Sequence, residues 1–373
     1  MPLRRNILRA AAALSAAAGL ALVPLAPGSA ATVPSLLGLD VKHTLNALPG
    51  LSLATDLGAV SATKNVPLVV TLDQPNKSAV DAYAKAVADK SSPDYRHFLT
   101  PAQYAAKFGV AKADTDAVRD YLAGKGLTVD KVSAAGDVLS VHGTASQVDK
   151  AFSTTLKNYT YKGLDFFANT VAPTFPKTLK IANVAGLDSL TKFAVPKRPA
   201  LTADQKTAQD QCLKDVLGDL PEVGSECVGV TTPKDLATSY ERPDTLSGKG
   251  QGLAVFGAGE SDSIIKDLRQ FETEQSLPQV PVTVTHPAGD TDFSDTSGGE
   301  EWDMDTQASS AMAPDASGLT MYFGTDLSDQ DVIKVFSQFT DDTDGPKQAS
   351  ASYGECEQIP YVSSTLASIP VLG

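Results

Sequence analysis

Two carboxylates spaced four residues apart stand at the start of a small, apolar segment, GGEEWDMDTQASSAMAPDA (298–316). On a helix, residues four apart share one face, so Glu301 and Asp305 would lie side by side while Asp303 points elsewhere. Carboxylates near a helix N-terminus can also simply complement the helix dipole. A helix so rich in small apolar residues favours burial, however, and two buried carboxylates are costly unless they are paired, hydrogen-bonded or protonated. Two acids in one site raise one pKa, which suits proton transfer at low pH.

Two further acidic runs are alternative candidates for a cation site. Asp290, Asp292 and Asp295 precede the helix, and residues 341–345 have the sequence DDTDG. Neither run fits the EF-hand loop, since Ser294 and Asp295 stand where that loop needs an Asp or Asn and then a Gly, and 341–345 lacks the rest of the loop. The four scattered histidines provide no Cys/His spacing for zinc. The sequence therefore predicts ordinary loops at both places and assigns no metal ligands.

The N-terminus has the pattern of a secretory signal peptide over residues 1–31. Three arginines lie among the first nine residues, an apolar run follows over 10–23, and small residues lie around 28–31. We therefore expect the chain to be secreted and free of the membrane after signal removal. The net charge of −13 leaves no basic stripe to pair with phosphates, so no nucleic-acid partner is expected.

The chain has three cysteines, Cys212, Cys227 and Cys356. Export would permit disulfides. We predict a bridge between Cys212 and Cys227, which would close a short loop and leave Cys356 either free or without its partner.

The elements that must position the acidic helix fall into two parts. Strand and helix patterns over 65–190 predict a compact α+β domain. Three pairs have the capping-box spacing and predict helix starts: Ser78 with Asp81, Thr100 with Gln103, and Thr144 with Gln147.

Residues 191–228 are a candidate linker, because Lys, Arg and Pro are followed there by polar and acidic residues, and proteolytic nicking concentrates in such segments. Beyond the linker, apolar strands alternate with helices, which predicts a doubly wound parallel sheet with crossover helices. Sites in such sheets gather at the carboxyl ends of strands and at helix starts. The acidic helix begins at such a place.

Several segments of the chain, the acidic helix among them, resemble the sedolisin/kumamolisin family of serine-carboxyl peptidases. The segment EWDMDTQ (301–307), followed by AMAPDA (311–316), resembles the family's catalytic helix. Other segments that carry the resemblance are 95–109 and 183–188, for the activation propeptide, and 231–240, for the start of the peptidase domain.

The resemblance implies an activation propeptide over 65–190, a maturation linker over 191–228 and the N-terminal part of a subtilisin-like peptidase domain over 229–373. It implies Glu301 as the general base that activates a serine, and Asp305 as the acid that orients and supports that base. Proteins or peptides would be the substrates, and the chain's own propeptide a further partner. A carboxylate base stays partly ionised in acid, where an imidazole would be protonated, which agrees with the family's action at low pH.

The resemblance also implies groups that the 373 residues do not contain. The family's nucleophile lies in a Gly-Thr-Ser segment, which does not occur here. The oxyanion aspartate, and the ligands of the calcium expected for a complete family member, likewise lie in downstream segments. Ser309 and Ser310 are no substitutes, because they share the helix of the acids. Without a nucleophile acyl transfer has no covalent route. We therefore expect an incomplete α/β sheet and no peptidase activity of this chain alone, with a propeptide-type inhibitor or chaperone module, or a non-catalytic relic, as the alternatives.

Overall fold

A computed structural model describes residues 41–43, 47–48, 50–195, 232–243 and 245–354. The predicted signal peptide, the three cysteines and most of the predicted linker lie outside these ranges. Within them, no helix combines the length and the apolar character that crossing a membrane requires.

The N-terminal part, residues 41–195, contains strands and helices in mixed order. Its helices are α1 (Lys77–Ala88), α2 (Pro101–Phe108), α3 (Lys112–Gly124) and α4 (Ala145–Phe152). Its strands are β1 (Val41–His43), β2 (Thr55–Ala59), β3 (Asn65–Leu72), β4 (Thr128–Val132), β5 (Val138–Thr144), β6 (Leu156–Tyr161), β7 (Leu164–Asn169), β8 (Thr174–Pro176) and β9 (Ile181–Ala185).

Two antiparallel sheets organise the N-terminal part, one in the order β4-β5-β3-β9 and one in the order β2-β6-β7, while β1 pairs with β8. The main core lies between the four-stranded sheet and helices α3 and α4. Leu68 and Leu139 from the sheet are fully buried there with Leu122 and Phe152 from the helices. Helices that pack against an antiparallel sheet form the α+β arrangement that the sequence predicted.

The capping boxes predicted at Thr100 and Thr144 are confirmed, since each hydroxyl accepts the expected backbone N–H of its helix. The box predicted at Ser78 is wrong. Helix α1 begins at Lys77, with Asn76 and not Ser78 at its N-cap position, so Ser78 already lies within the first turn.

The folded N-terminal part extends ahead of residue 65. Strand β2 pairs antiparallel with β6, and Leu51 packs against the cluster of Tyr159 and Phe166. All five residues of β2 are exposed. The strand therefore has almost no alternation of apolar and polar residues from which it could be predicted.

The C-terminal part, residues 232–354, begins with a short helix, α5 (Pro233–Ser239). It continues with β10 (Gly252–Ala258), α6 (Asp262–Glu274), β11 (Val282–Thr285), α7 (Gly299–Met312), β12 (Gly318–Gly324), α8 (Asp329–Asp341) and β13 (Ala349–Ala351).

The four strands of the C-terminal part form one parallel sheet in the order β11-β12-β10-β13. Side chains alternate between its faces. Val255 and Met321 point to the face covered by α6 and α7, and Phe256 and Tyr322 to the face covered by α8. The strands are apolar on both sides because helices cover both, as predicted for a doubly wound sheet.

The carboxyl end of β10 depends on a glycine. Gly259 has a φ of +82°, and a Cβ there would lie 1.8 Å from the Asp295 carbonyl oxygen. The Glu260 N–H donates to that same oxygen at 2.8 Å. The loop that leads into α7 can therefore lie across the end of β10 only if residue 259 has no side chain.

Gly259→Ala should lower the free energy of unfolding by about 3 kcal/mol, because left-handed strain adds to displacement of the Asp295 carbonyl. Urea titration would measure it. Gly163→Ala is the matched control: its φ is +83° with nothing within 4 Å of the added methyl, so it should cost only about 1 kcal/mol. Equal losses in the two variants would contradict this account of the loop.

Candidate active site

Helix α7 is fastened to the sheet by the only tryptophan of the chain, Trp302. Its side chain is 1% exposed, and its Nε1 donates to the Ala258 carbonyl at the end of β10, at 3.1 Å. A Cβ on Gly298 would lie 2.5 Å from that nitrogen, so the glycine makes room for the indole over the helix start. This anchor fixes the rotation of α7 and thereby the direction of its acidic side chains.

Glu301 and Asp305 lie on one face of α7, as predicted, and each is only 8% exposed. Asp305 Oδ1 accepts hydrogen bonds from the Ser350 hydroxyl, at 3.1 Å, and from the Ser352 hydroxyl, at 2.9 Å. Asp305 Oδ2 is buried and makes no hydrogen bond within the described part of the chain. The carboxylate therefore has one oxygen with two hydrogen-bond donors and one buried oxygen without a donor among the described residues.

Burial raises the pKa of Asp305, and the hydrogen bonds from Ser352 and Ser350 act against that rise. The physical cause is that a carboxylate loses hydration on burial, while hydroxyl donors stabilise its ionised form. The net result of the opposing effects is a pKa of Asp305 above its ordinary value.

Asp303 has a different environment on the same helix. Burial, and next the charges of Asp267, Glu260 and Glu300, raise its pKa to about 6. Its Oδ1 is buried without a hydrogen bond among the residues described. The structure thus separates Asp303 from the Glu301–Asp305 pair, as the helical spacing predicted.

The sequence did not predict the two serines that bind Asp305. Ser350 and Ser352 are two apart on an extended segment, which places their side chains on one face of it. This spacing is the feature of the sequence that could have indicated two hydroxyl groups donating to one acceptor. Ser310, in contrast, uses its hydroxyl to donate to the Gln307 carbonyl of its own helix.

The other acidic runs are engaged in ion pairs and turns. Asp290 bonds to Lys334 at 2.7 Å, and Asp341 pairs with Lys131 at 3.1 Å. Across the described ranges, no group of three or more His, Cys, Asp or Glu side chains could hold a metal ion. No residue described here can therefore be assigned to the calcium that the resemblance implies.

A short extended segment of the N-terminal part, residues 192–195, lies beside this site, and we call it the docked strand. Phe193 N–H donates to the Leu327 carbonyl at 2.8 Å. Ala194 and Gly354 exchange two backbone hydrogen bonds, at 3.1 and 3.0 Å. The docked strand is therefore hydrogen-bonded on both edges, between residues 327–328 and Gly354.

The docked strand also has side-chain contacts in the C-terminal part. The Phe193 ring meets the Tyr353 ring edge-on at 5.6 Å, and Val195 packs against the cluster that contains Trp302. Lys192 forms an ion pair with Asp326. Because Ser352 precedes Tyr353 and Gly354, the strand lies next to the segment that holds Asp305.

Comparison with known proteins identifies relatives of both parts. The family described as Pro-kumamolisin, activation domain, matches residues 52–190. Similar proteins are xanthomonalisin of Xanthomonas sp. (strain T-22), 23% identical over 83% of this chain and 38% of its own length, and sedolisin of Pseudomonas sp. (strain 101), 23% identical over 84% and 52%. Kumamolisin of Bacillus sp. (strain MN-32) is 24% identical over 81% and 53%.

The chain thus spans between 38% and 53% of the length of these three relatives. Among solved structures, a Pseudomonas sedolisin (serine-carboxyl proteinase) complexed with pseudo-iodotyrostatin matches 34% of this chain and 36% of its own, at 23% identity and a TM-score of 0.30.

Replacing Ser350 and Ser352 together with alanine should raise the pKa of Asp305 further, because both donors to its ionised form are lost. A carboxyl-carbon NMR titration would measure this. Ser310→Ala is the control, since its hydroxyl bonds only its own helix and the pKa of Asp305 should stay unchanged. A pKa of Asp305 that does not move in the double variant would show that the two serines do not act on it.

Asp303→Asn should stabilise the protein at about pH 7.5 by about 1 kcal/mol, and should be nearly neutral at about pH 4. The pKa of Asp303 in the folded protein is about 6, above its ordinary value of 3.8. The wild-type protein therefore loses stability as the pH rises from about 4 to about 6, because the buried carboxyl group must then ionise. Thermal unfolding at both pH values would test this. A stabilisation independent of pH would contradict the electrostatic origin.

Proposed function

We propose that this chain, which belongs to the sedolisin family of peptidases, carries the propeptide and the acid–base half of a secreted, acid-acting serine-carboxyl endopeptidase. The observation that carries the proposal is the buried pair Glu301 and Asp305, with Asp305 held by Ser350 and Ser352. The Pro-kumamolisin activation domain over 52–190 and the relatives support it at the level of the family.

In the proposed reaction, Glu301 takes the proton of an attacking serine hydroxyl as the new bond to the substrate carbonyl carbon forms. It then returns that proton to the leaving amine as the peptide bond breaks. Asp305 orients and supports Glu301, and the two serine hydroxyls stabilise the ionised form of Asp305. A carboxylate base remains partly ionised at about pH 4, where an imidazole would be protonated.

The attacking serine is not among the residues assigned here. The family resemblance implies that it lies in a Gly-Thr-Ser segment, which the 373 residues do not contain. The activity is therefore proposed for a protein in which such a segment completes the site, within a subtilisin-like domain, and calcium is proposed only for that completed protein.

A second role, inhibition by the N-terminal part, is favoured by the docked strand. It forms hydrogen bonds on both edges, as an extended peptide would when it adds to a sheet. It lies beside the segment that holds Asp305. We propose that the N-terminal part keeps the groove between residues 327–328 and Gly354 filled until the chain is cleaved after it.

The test compares the 373-residue chain with the natural gene product expressed together with any sequence that follows codon 373. Hydrolysis of an unfolded protein at about pH 4 would be measured. The 373-residue chain alone should be inactive. A product that contains a Gly-Thr-Ser segment should cleave, and Glu301→Gln should lower kcat by about a thousandfold or more.

The matched control is Glu300→Gln. Glu300 is exposed on the same helix turn, so its loss should leave kcat within about twofold. If the Glu301→Gln variant cleaves as fast as the unchanged protein, Glu301 is not the base. If the 373-residue chain cleaves the substrate by itself and Glu301→Gln abolishes that cleavage, the predicted inactivity of this chain alone is wrong.

A further inference from the structure

A cavity of about 520 Å³ lies between the two parts, beside the docked strand. Aspartates dominate its polar lining, together with two lysines, Lys192 of the docked strand and Lys334 of α8. The aspartates are Asp290, Asp292, Asp295, Asp326 and Asp331. The cavity is therefore suited to a cationic group, and the partners of each acid decide which acid is available for one.

Most of these acids are satisfied within the C-terminal part itself. Lys334 bonds Asp290 Oδ1 at 2.7 Å and Asp331 Oδ1 at 3.1 Å. Asp292 and Asp295 accept backbone N–H groups two residues further along their own loop. Their charges are thus used to hold the loop and α8 in place.

Asp326 is different, because its ion-pair partner comes from the docked strand. Lys192 Nζ pairs with Asp326 Oδ2, while Asp326 Oδ1 accepts the Ser328 N–H at 2.8 Å. Asp290 also lines the cavity, but its Oδ2 is buried and its Oδ1 is bonded to Lys334. Asp326 is therefore the carboxylate that the side chain of residue 192 meets.

We propose that this cavity is a subsite for a lysine or arginine side chain of a bound extended peptide, at the position two residues before the one that pairs with Gly354. Lys192 of the docked strand occupies that position in the chain itself, since Ala194 pairs with Gly354. For substrates, the inference rests on the function proposed above.

The selection follows from what is left behind when the docked strand departs. With the docked strand in place the Asp326 side chain is 29% exposed, so a peptide bound along the same path would also leave this carboxylate partly buried. A peptide with a neutral residue at this position would leave that charge unpaired and partly desolvated, which is costly. Lysine restores the ion pair with Asp326, and arginine supplies the same positive charge with further donors.

The test uses the full chain with its own strand displaced by Lys192→Glu and Ala194→Pro, which oppose Asp326 with a like charge and remove a backbone donor to Gly354. The probe is the peptide SLTKFAVP, the sequence of residues 189–196, compared with the same peptide carrying glutamine for lysine. Calorimetry gives the affinities, and fluorescence of Trp302, whose ring lies 6.3 Å from that of Tyr353, reports occupancy.

At about pH 6 the lysine peptide should bind about tenfold more tightly than the glutamine peptide. Adding Asp326→Asn should abolish the preference, whereas the matched change Asp292→Asn should retain it. Equal affinities, no binding of either peptide, or loss of preference with Asp292→Asn would each overturn the subsite. No hydrolysis is measured, so a failure of the proposed peptidase activity would not be confused with a failure of the subsite.

A second measurement needs no displaced strand. In the otherwise wild-type chain, Lys192→Gln should speed hydrogen exchange of the Gly354 amide, which donates to the Ala194 carbonyl, by about tenfold. Lys192→Arg should leave that exchange rate unchanged. Equal rates in the glutamine and arginine variants would show that the cavity does not select a cation, and the inference would fail.

Discussion

The hydrogen bonds from Ser350 and Ser352 to the buried Asp305 are the interaction on which the arrangement of the C-terminal part depends. Among the described strands, β13 is the outermost on its side of the sheet, and it pairs with β10 over only three residues. A carboxylate taken out of water requires donors, so the position of α7 and the path of the chain through 349–354 are mutually fixed. The anchor of Trp302 on Ala258 fixes the same half of this helix to the end of β10.

The docked strand meets a second requirement of this arrangement. Gly354 follows β13, and Ala194 satisfies both of its backbone groups with two hydrogen bonds. An exposed strand edge readily adds another chain, and a short covering segment is one of the ways proteins manage it. Among the described residues, the docked strand is such a covering segment at Gly354.

The sequence predicted what depends on local patterns. The parallel sheet follows from continuous apolar strands, and the helix starts at Thr100 and Thr144 follow from capping boxes. The shared face of Glu301 and Asp305 follows from their spacing. The sequence did not predict β2, whose side chains are exposed. It also did not predict the two serine donors to Asp305, which lie 45 and 47 residues away along the chain. Contacts of that kind depend on the packed sheet and leave no periodic signal.

Helix α8 has a consequence for how the molecule folds. The N-terminal part holds it at both ends: Asp326, just before the helix, pairs with Lys192, and Asp341, its last residue, pairs with Lys131 and accepts the Ala134 N–H. Distant strand pairings occur in both parts, since β3 pairs with β9 and β2 with β6 in the N-terminal part, as β10 pairs with β13 in the C-terminal part. The two parts should therefore unfold together, because opening of the N-terminal part releases both ends of the helix that covers one face of the parallel sheet.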